Sequence, residues 1–395
     1  MKKYFYPLID NPYRPKDIHQ AIKVLKSSKI TSGPKTLEFQ NKFSKKIKTN
    51  YSLLVNSGSS ANLLAMQCLI NPYRKKRLKI GDEILIPSLC WSTSLWPIIQ
   101  SGLKPKFVDV EKETLNLDLN DLRKKISKNS KGIMLVHVLG NCTNMNELMN
   151  IIKKYNLILI EDTCESLGTT YKNKYLGTFG EFSSFSFYSS HQISSGEGGM
   201  ICCKYEEDFE IIKSLRAHGW SRGLKNEKKI AKNNKQLDKR FIFYNSGFNL
   251  RSTDISASIG LSQFKDLDKF IKIRRTNRNL IIKTFEKYRI NNFFNIIKEN
   301  EYVKPSWFGI PILISKKLKK DKIINNLEKK GVETRPIISG NFLKQPSIKK
   351  YNLNRKMKMK NAEYINQKGF FIGLPTKPLG KTMVEKLAKK FEESI

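Results

Sequence analysis

From about Tyr51 to Cys203 the chain alternates short apolar runs with longer amphipathic stretches. The runs "YSLLVNSG", "DEILIPS", "KPKFVDV", "GIMLVHVLG", "LILIEDT", "FSSFSFYSS" and "GGMICCK" read as strands, and the segments between them as helices. Such alternation predicts an α/β fold with a largely parallel sheet between helices, and it places ligands at the carboxyl ends of the strands. Beyond Cys203 the pattern changes. Glu206 to Ala217 reads as a helix, Gly223 to Arg240 as a charged loop poor in apolar residues, and Thr253 to Tyr288 as one long helix. "SWFGIPILI", a helix near Lys317 to Lys330, "VETRPIISGNF" and a last helix near Thr382 to Glu393 predict a smaller α/β domain. The expected division is an N-terminal segment 1–25, a large domain 26–262, and a linking helix with the small domain 263–395. No Pro-, Gly- or Ser-rich linker separates the lobes, so they should pack closely.

Composition narrows the class. Of 395 residues, 39% are hydrophobic and 10% aromatic, which suits a globular chain with a sizeable core. No apolar run approaches the ~18 residues needed to cross a bilayer, and Met1 to Pro15 lacks the apolar centre of a signal peptide. A cytoplasmic location is expected. The net charge of +38 would suit nucleic acid or an anionic membrane. The lysines, however, are spread along the whole chain ("KKRLK", "RKKISKNSK", "KNEKKIAKNNK", "KKLKKDK") with no basic arm, so neither partner is expected. A positive field would also help attract a diphosphate-bearing small substrate. The six cysteines show no CxxC spacing, so neither a metal site nor a disulfide framework is indicated. Cys202 and Cys203 are adjacent on a strand and should face opposite sides of the sheet.

Four stretches carry candidate chemistry. In "NSGSSANLLAM" a strand end passes through a tight turn at Gly58 into a helix, where backbone N–H groups and the Ser59 and Ser60 hydroxyls make a phosphate cradle or simply a helix cap. In "IEDTCESLG" the acids Glu161 and Asp162 end an apolar run, which is costly unless each meets a cation or donor. They serve either a structural ion pair or a protonated ring nitrogen. In "PSLCWSTSLWPI", Trp91 stands just past a strand end, as core or as a stacking face for an aromatic cofactor. Last, "SFYSSHQISSGEGGM" sets His191 in a loop ahead of a Gly-rich turn.

Taken in this order, with "ITSGPKTLEFQNKF", "GLKPKFVDV", "HVLGN", "GFNLRSTDISASIGLSQ" and "VETRPI", these stretches resemble the nucleotide-sugar aminotransferase family of fold type I PLP enzymes across essentially the whole chain. That family carries its Schiff-base lysine in a Ser-Phe-(Phe/Tyr)-x-x-Lys stretch. Here the residue five after Ser186 is His191. The resemblance therefore implies noncovalent PLP or PMP and the sugar 3-dehydratase branch, in which histidine shuttles protons. "RAHGWSR", "SWFG" and "ETRPIISGNFLKQP" are similar to the dehydratases of GDP-4-keto-6-deoxy-D-mannose, which lead toward colitose-type deoxysugars. The iron–sulfur branch is disfavoured, because only Cys202 and Cys203 follow His191 and cannot supply four thiolates. A 4-aminotransferase using Lys172 or Lys174, or a dehydratase of a CDP- or dTDP-sugar, are the alternatives.

The same resemblance implies roles. Asp162 would hold the pyridine nitrogen, Trp91 stack on the ring and Glu165 lie beside its O3′ edge. Ser59, Ser60 and Ser186 would hold the phosphate, with Asn249 of a second subunit, giving a homodimer with shared sites. His218, Arg222 and Phe243 would line the sugar-nucleotide pocket, and Arg335 would anchor a carboxylate or phosphate. L-Glutamate would be the amino donor, and ammonia would be released. His137 is expected to be a core residue and His19 a surface one.

Overall fold

The computed structural model describes residues 4–9, 11–353 and 357–395. All seven apolar runs become strands of one sheet: β1 (Tyr51–Val55), β2 (Glu83–Pro87), β3 (Lys104–Val108), β4 (Ser130–Val136), β5 (Ile158–Asp162), β8 (Phe182–Ser186) and β9 (Gly199–Cys203), in the order β1-β9-β8-β5-β4-β2-β3. From β3 across to β8 every neighbour is parallel, and β9 runs antiparallel to both β8 and β1. Two minor strands, β6 (Thr170–Tyr171) and β7 (Lys174–Tyr175), form a hairpin outside it.

Alternation along the strands decides what each face carries. In β8, Phe182 enters the core beneath helix α3 (Gly58–Leu69), while Phe185 packs on the opposite face with Phe187, just past the strand end. There Phe39 and Phe43 of α2 (Pro34–Ile47) meet them, with ring centroids 5.2 Å apart for Phe39–Phe187 and 4.9 Å for Phe43–Phe185. Each such buried ring contributes roughly 2–3 kcal/mol of transfer free energy. The intervening Ser184 and Ser186 are thereby turned toward α3. Cys202 and Cys203 divide between the two cores, as expected.

Further helices flank the sheet: α1 (Pro15–Lys26), α4 (Ser92–Gln100), α5 (Leu119–Lys125), α6 (Met145–Tyr155) and α7 (Glu206–Arg216). The expected 253–288 helix is two helices, α9 (Asp254–Phe264) and α10 (Leu267–Lys287). At the break Asp266 is drawn sideways to Arg14 and Lys16, both at 2.6 Å, and Gln263 is spent on the Ser194 amide and the Pro12 carbonyl. The charged loop also differs from expectation, since it contains α8 (Glu227–Asn233). Two of its sparse apolar residues, Leu224 and Ile230, close one small cluster with Ile242 just beyond it.

The smaller lobe is built on an antiparallel sheet in the order β10 (Phe294–Ile296), β12 (Gly309–Ile314), β14 (Gly369–Gly373), β13 (Thr334–Arg335). A short β11 (Val303–Lys304) pairs with β6, tying this lobe to the hairpin of the large one. Helices α11 (Lys320–Lys329), α12 (Pro346–Lys350), α13 (Lys360–Lys368) and α14 (Lys381–Glu392) complete the lobe. Helix α10 spans both lobes, with Leu267, Phe270 and Ile271 in the core of the large one and Ile281 and Phe285 in that of the small one.

Candidate active site

Strands β1, β5 and β8 end on one edge of the sheet. Gly199 pairs there with both Val55 and Ser186, so the loop 187–198 leaves from the end of β8 and returns beside the end of β1. A Cβ on Gly199 would lie 2.4 Å from the Ser57 carbonyl carbon, and one on Gly58 would lie 2.7 Å from Cys164 Sγ and 2.8 Å from Ser186 Cβ. Only glycine lets these three turns close on one another.

The two acids of β5 have different surroundings because they point to opposite faces. Glu161 is fully buried; its Oε1 accepts from the Phe179 and Gly180 amides, and its Oε2 from the Gly177 amide, each at 2.8 Å. His137 Nε2 lies 3.0 Å from the same Oε2. This pair is structural, and His137 is a core residue. Asp162 faces α3 and α4, where its Oδ2 accepts from Asn62 Nδ2 (2.8 Å) and Ser94 Oγ (2.7 Å), while Oδ1 accepts from the Cys164 amide (3.2 Å).

His191 sits in the loop after β8, with its half-buried ring 5.1 Å from that of Phe308 and Nδ1 buried without a partner. Burial, assisted by the Arg274 charge, pushes the imidazole down to about 4, so it is neutral at pH 7. Gln192 fixes the loop by donating to the Glu165 carbonyl (2.5 Å) and the Ser306 carbonyl (2.9 Å). Glu165 accepts from the Leu139 amide at 2.8 Å, and burial with the nearby Asp162 charge pushes its carboxyl up to about 7.

Trp91 is not core: it precedes α4 and is 57% exposed, leaving a ring face available. The cap of α3 is Ser57, which accepts from the Ser60 amide. Ser60 donates its hydroxyl to Asn56 Oδ1 at 2.6 Å, Ser59 meets Thr93 Oγ1 at 2.8 Å, and Ser186 is buried at the end of β8. A second cluster gathers His218, Arg222 and Phe243 around Trp220, with Arg251 2 residues beyond the exposed Asn249 and 3.2 Å from His218 Nε2. Arg335, in β13, pairs with Glu333 at 2.8 Å and donates to the carbonyl of its neighbour Thr334.

The model of the DegT/DnrJ/EryC1/StrS aminotransferase family matches residues 13–390. The chain belongs to this family. Among curated relatives, the GDP-4-keto-6-deoxy-D-mannose 3-dehydratase of Escherichia coli O55:H7 is 37% identical over 373 residues, covering 93% of this chain and 95% of the relative. Among solved structures, the E. coli GDP-4-keto-6-deoxy-D-mannose-3-dehydratase with bound hydrated PLP superposes at a TM-score of 0.90 with 35% identity over the full length of both chains. The same kind of enzyme with a trapped PLP-glutamate geminal diamine gives 0.91 at 35% identity, covering 98% of this chain and 100% of that one.

The two lysines weighed as substitutes for a Schiff-base lysine lie on the β6–β7 hairpin. Lys172 and Lys174 are exposed at the β6–β7 hairpin, their ammonium groups lying over the Tyr302 ring at 4.4 Å and the Phe179 ring at 4.2 Å. Asn62 and Ser94 carried no signal of their own in the sequence, although both lie near the starts of the helices, α3 and α4, that follow β1 and β2. Arg274 gave no signal within the charged run "KIRR". Because Glu161 satisfies three backbone donors, Glu161→Gln should lower unfolding stability by about 2–4 kcal/mol. Urea denaturation checks this, and an unchanged midpoint would contradict the structural role.

Proposed function

We propose that this chain is a PLP- and glutamate-dependent 3-dehydratase that removes the C3 hydroxyl of GDP-4-keto-6-deoxymannose and releases ammonia, in a colitose-type deoxysugar route. The observation that carries the reading is His191: a neutral, partly buried imidazole with an unpartnered nitrogen, in the loop where an aminotransferase of this resemblance would carry lysine.

The residues present fit the cofactor. A carboxylate held by Asn62, Ser94 and the Cys164 amide suits a protonated pyridine nitrogen, and the amino end of α3 with Ser59, Ser60 and Ser186 suits a phosphate. In the proposed arrangement Trp91 stacks on the ring and Asn249 reaches the phosphate from a second copy. When bound, PLP supplies an electron sink and its PMP form an amine for the C4 ketone. His191 would take the proton lost from the carbon that bears the PMP amine and pass it to the C3 hydroxyl oxygen, which would leave as water with the C3–O bonding pair as the electrons freed by that deprotonation move toward C3. Glu165, protonated below about pH 7, is able to donate a hydrogen bond to an anionic ring oxygen. His218, Arg222 and Phe243 offer cationic and aromatic contacts for the sugar nucleotide, and Arg335 a planar fork for its phosphates or for the carboxylate of glutamate. The high positive charge of the chain favours these anionic ligands.

A 4-aminotransferase reading needs a lysine amine in this site, and Lys172 and Lys174 do not provide one. Replacing His191 with Lys should permit borohydride-trapped covalent capture of PLP while dehydration falls by about 100-fold or more; a variant that dehydrates at the parent rate would contradict the role of the imidazole. A second expectation concerns pH. Retention of PLP should weaken as pH rises through about 7 and Glu165 loses its proton. Dialysis followed by absorbance reads this, and Glu165→Gln should flatten the profile, whereas a variant keeping the parent's pH dependence would refute the assignment.

A further inference from the structure

Helix α10 carries three arginines that face the joint between the lobes. Arg275 Nε donates to the Pro305 carbonyl at 2.7 Å, and Arg278 Nη2 donates to the Ile297 carbonyl at 2.6 Å while its guanidinium lies 4.3 Å from the Trp307 ring centroid. Arg274, which immediately precedes Arg275, reaches the His191 loop. It is buried, with Nη1 donating to the Trp307 carbonyl at 3.1 Å and Nη2 to the His191 carbonyl at 3.3 Å. Its Nε is buried without a partner, and among the described residues no carboxylate pairs with it. Burial lowers it to about 10, which still leaves it charged at neutral pH.

A buried cation without a counter-ion is costly, and two carbonyls alone recover only part of that cost. Its location suggests what it is kept for. The carbonyls it joins belong to the His191 loop and to the segment 305–308, which brings Phe308 against the His191 ring. That segment is gripped elsewhere as well: the Phe308 amide donates to the Leu139 carbonyl at 3.0 Å, and a Cβ on Gly140 would stand 2.6 Å from the Ser306 carbonyl oxygen.

We propose that Arg274 is a positioning residue for His191, its forked guanidinium locking the acid–base loop to the 305–308 segment and setting a fixed positive charge behind the imidazole. This rests on the reading of His191 as the proton carrier. The charged groups facing the imidazole are Arg274 from α10 and Asp162 from β5, with opposite effects on its proton; the Tyr188 and Phe308 rings and the Cys164 backbone complete its surroundings. Removing the cation should favour the imidazolium.

The test compares Arg274→Met and Arg274→Lys in the cofactor-loaded enzyme. With only four histidines in the chain, ring-labelled NMR follows the His191 titration directly, His191→Asn providing the assignment. Arg274→Met should raise the His191 midpoint measurably, while burial, the larger cause, still holds it below the ordinary ~6.5. It should also lower kcat by about 10- to 100-fold with the sugar KM within about twofold. Arg274→Lys should keep the low midpoint, because the charge remains, yet lose part of kcat, because an ammonium cannot reproduce the fork. Should the Met variant fail to fold, a fall in kcat at constant KM in the Lys variant supports the proposal. A folded Met variant with parent midpoint and parent kcat, or a Lys variant unchanged in kcat, overturns it. The titration is read on the imidazole, so it stands apart from whether the turnover is dehydration.

Discussion

The end of β5 is the point on which the site depends. Two acids in succession cannot share surroundings on a strand, because alternate side chains leave opposite faces. Glu161 goes into the core, where three backbone amides and His137 hold the turn at 177–180 against the sheet. Asp162 goes to the edge where β1, β5 and β8 end, and Asn62, Ser94 and the Cys164 amide leave it fixed beside His191's loop. One carboxylate stabilises the scaffold, and the other is the group proposed to meet the cofactor's ring nitrogen.

The exchange of lysine for histidine changes the chemistry that this edge supports. A lysine amine would bind the cofactor covalently, whereas a half-buried imidazole held neutral can accept a proton. Keeping it neutral needs little more than low polarity and a nearby cation, and both are present in the Phe308 ring and Arg274. Besides its own backbone hydrogen bonds, the loop is held from outside, through Gln192 to Glu165 and Ser306 and through Arg274, which joins His191 to Trp307.

The seven strands were legible because each is a short apolar run bounded by turn residues, and the order of turn, Trp91, Asp162 and His191 along the chain is local information. What was not legible is equally physical. The break between α9 and α10 depends on Asp266 meeting Arg14 and Lys16 from more than 200 residues away, and helix α8 depends on three scattered apolar residues finding one another. Asn62 and Ser94 acquire meaning only once α3 and α4 are packed against β5. Arg274 reads as one more basic residue in a lysine-rich chain until its burial is seen. Arg335 was legible as a fork, but its partners in the fold are Glu333 and its own strand.

The most direct measurement is product analysis by NMR after incubation of the PLP-loaded enzyme with L-glutamate and GDP-4-keto-6-deoxymannose. The account predicts a methylene carbon at C3, a ketone retained at C4, and ammonia in equal amount. A product that keeps its C3 hydroxyl and carries an amine at C4 would contradict it.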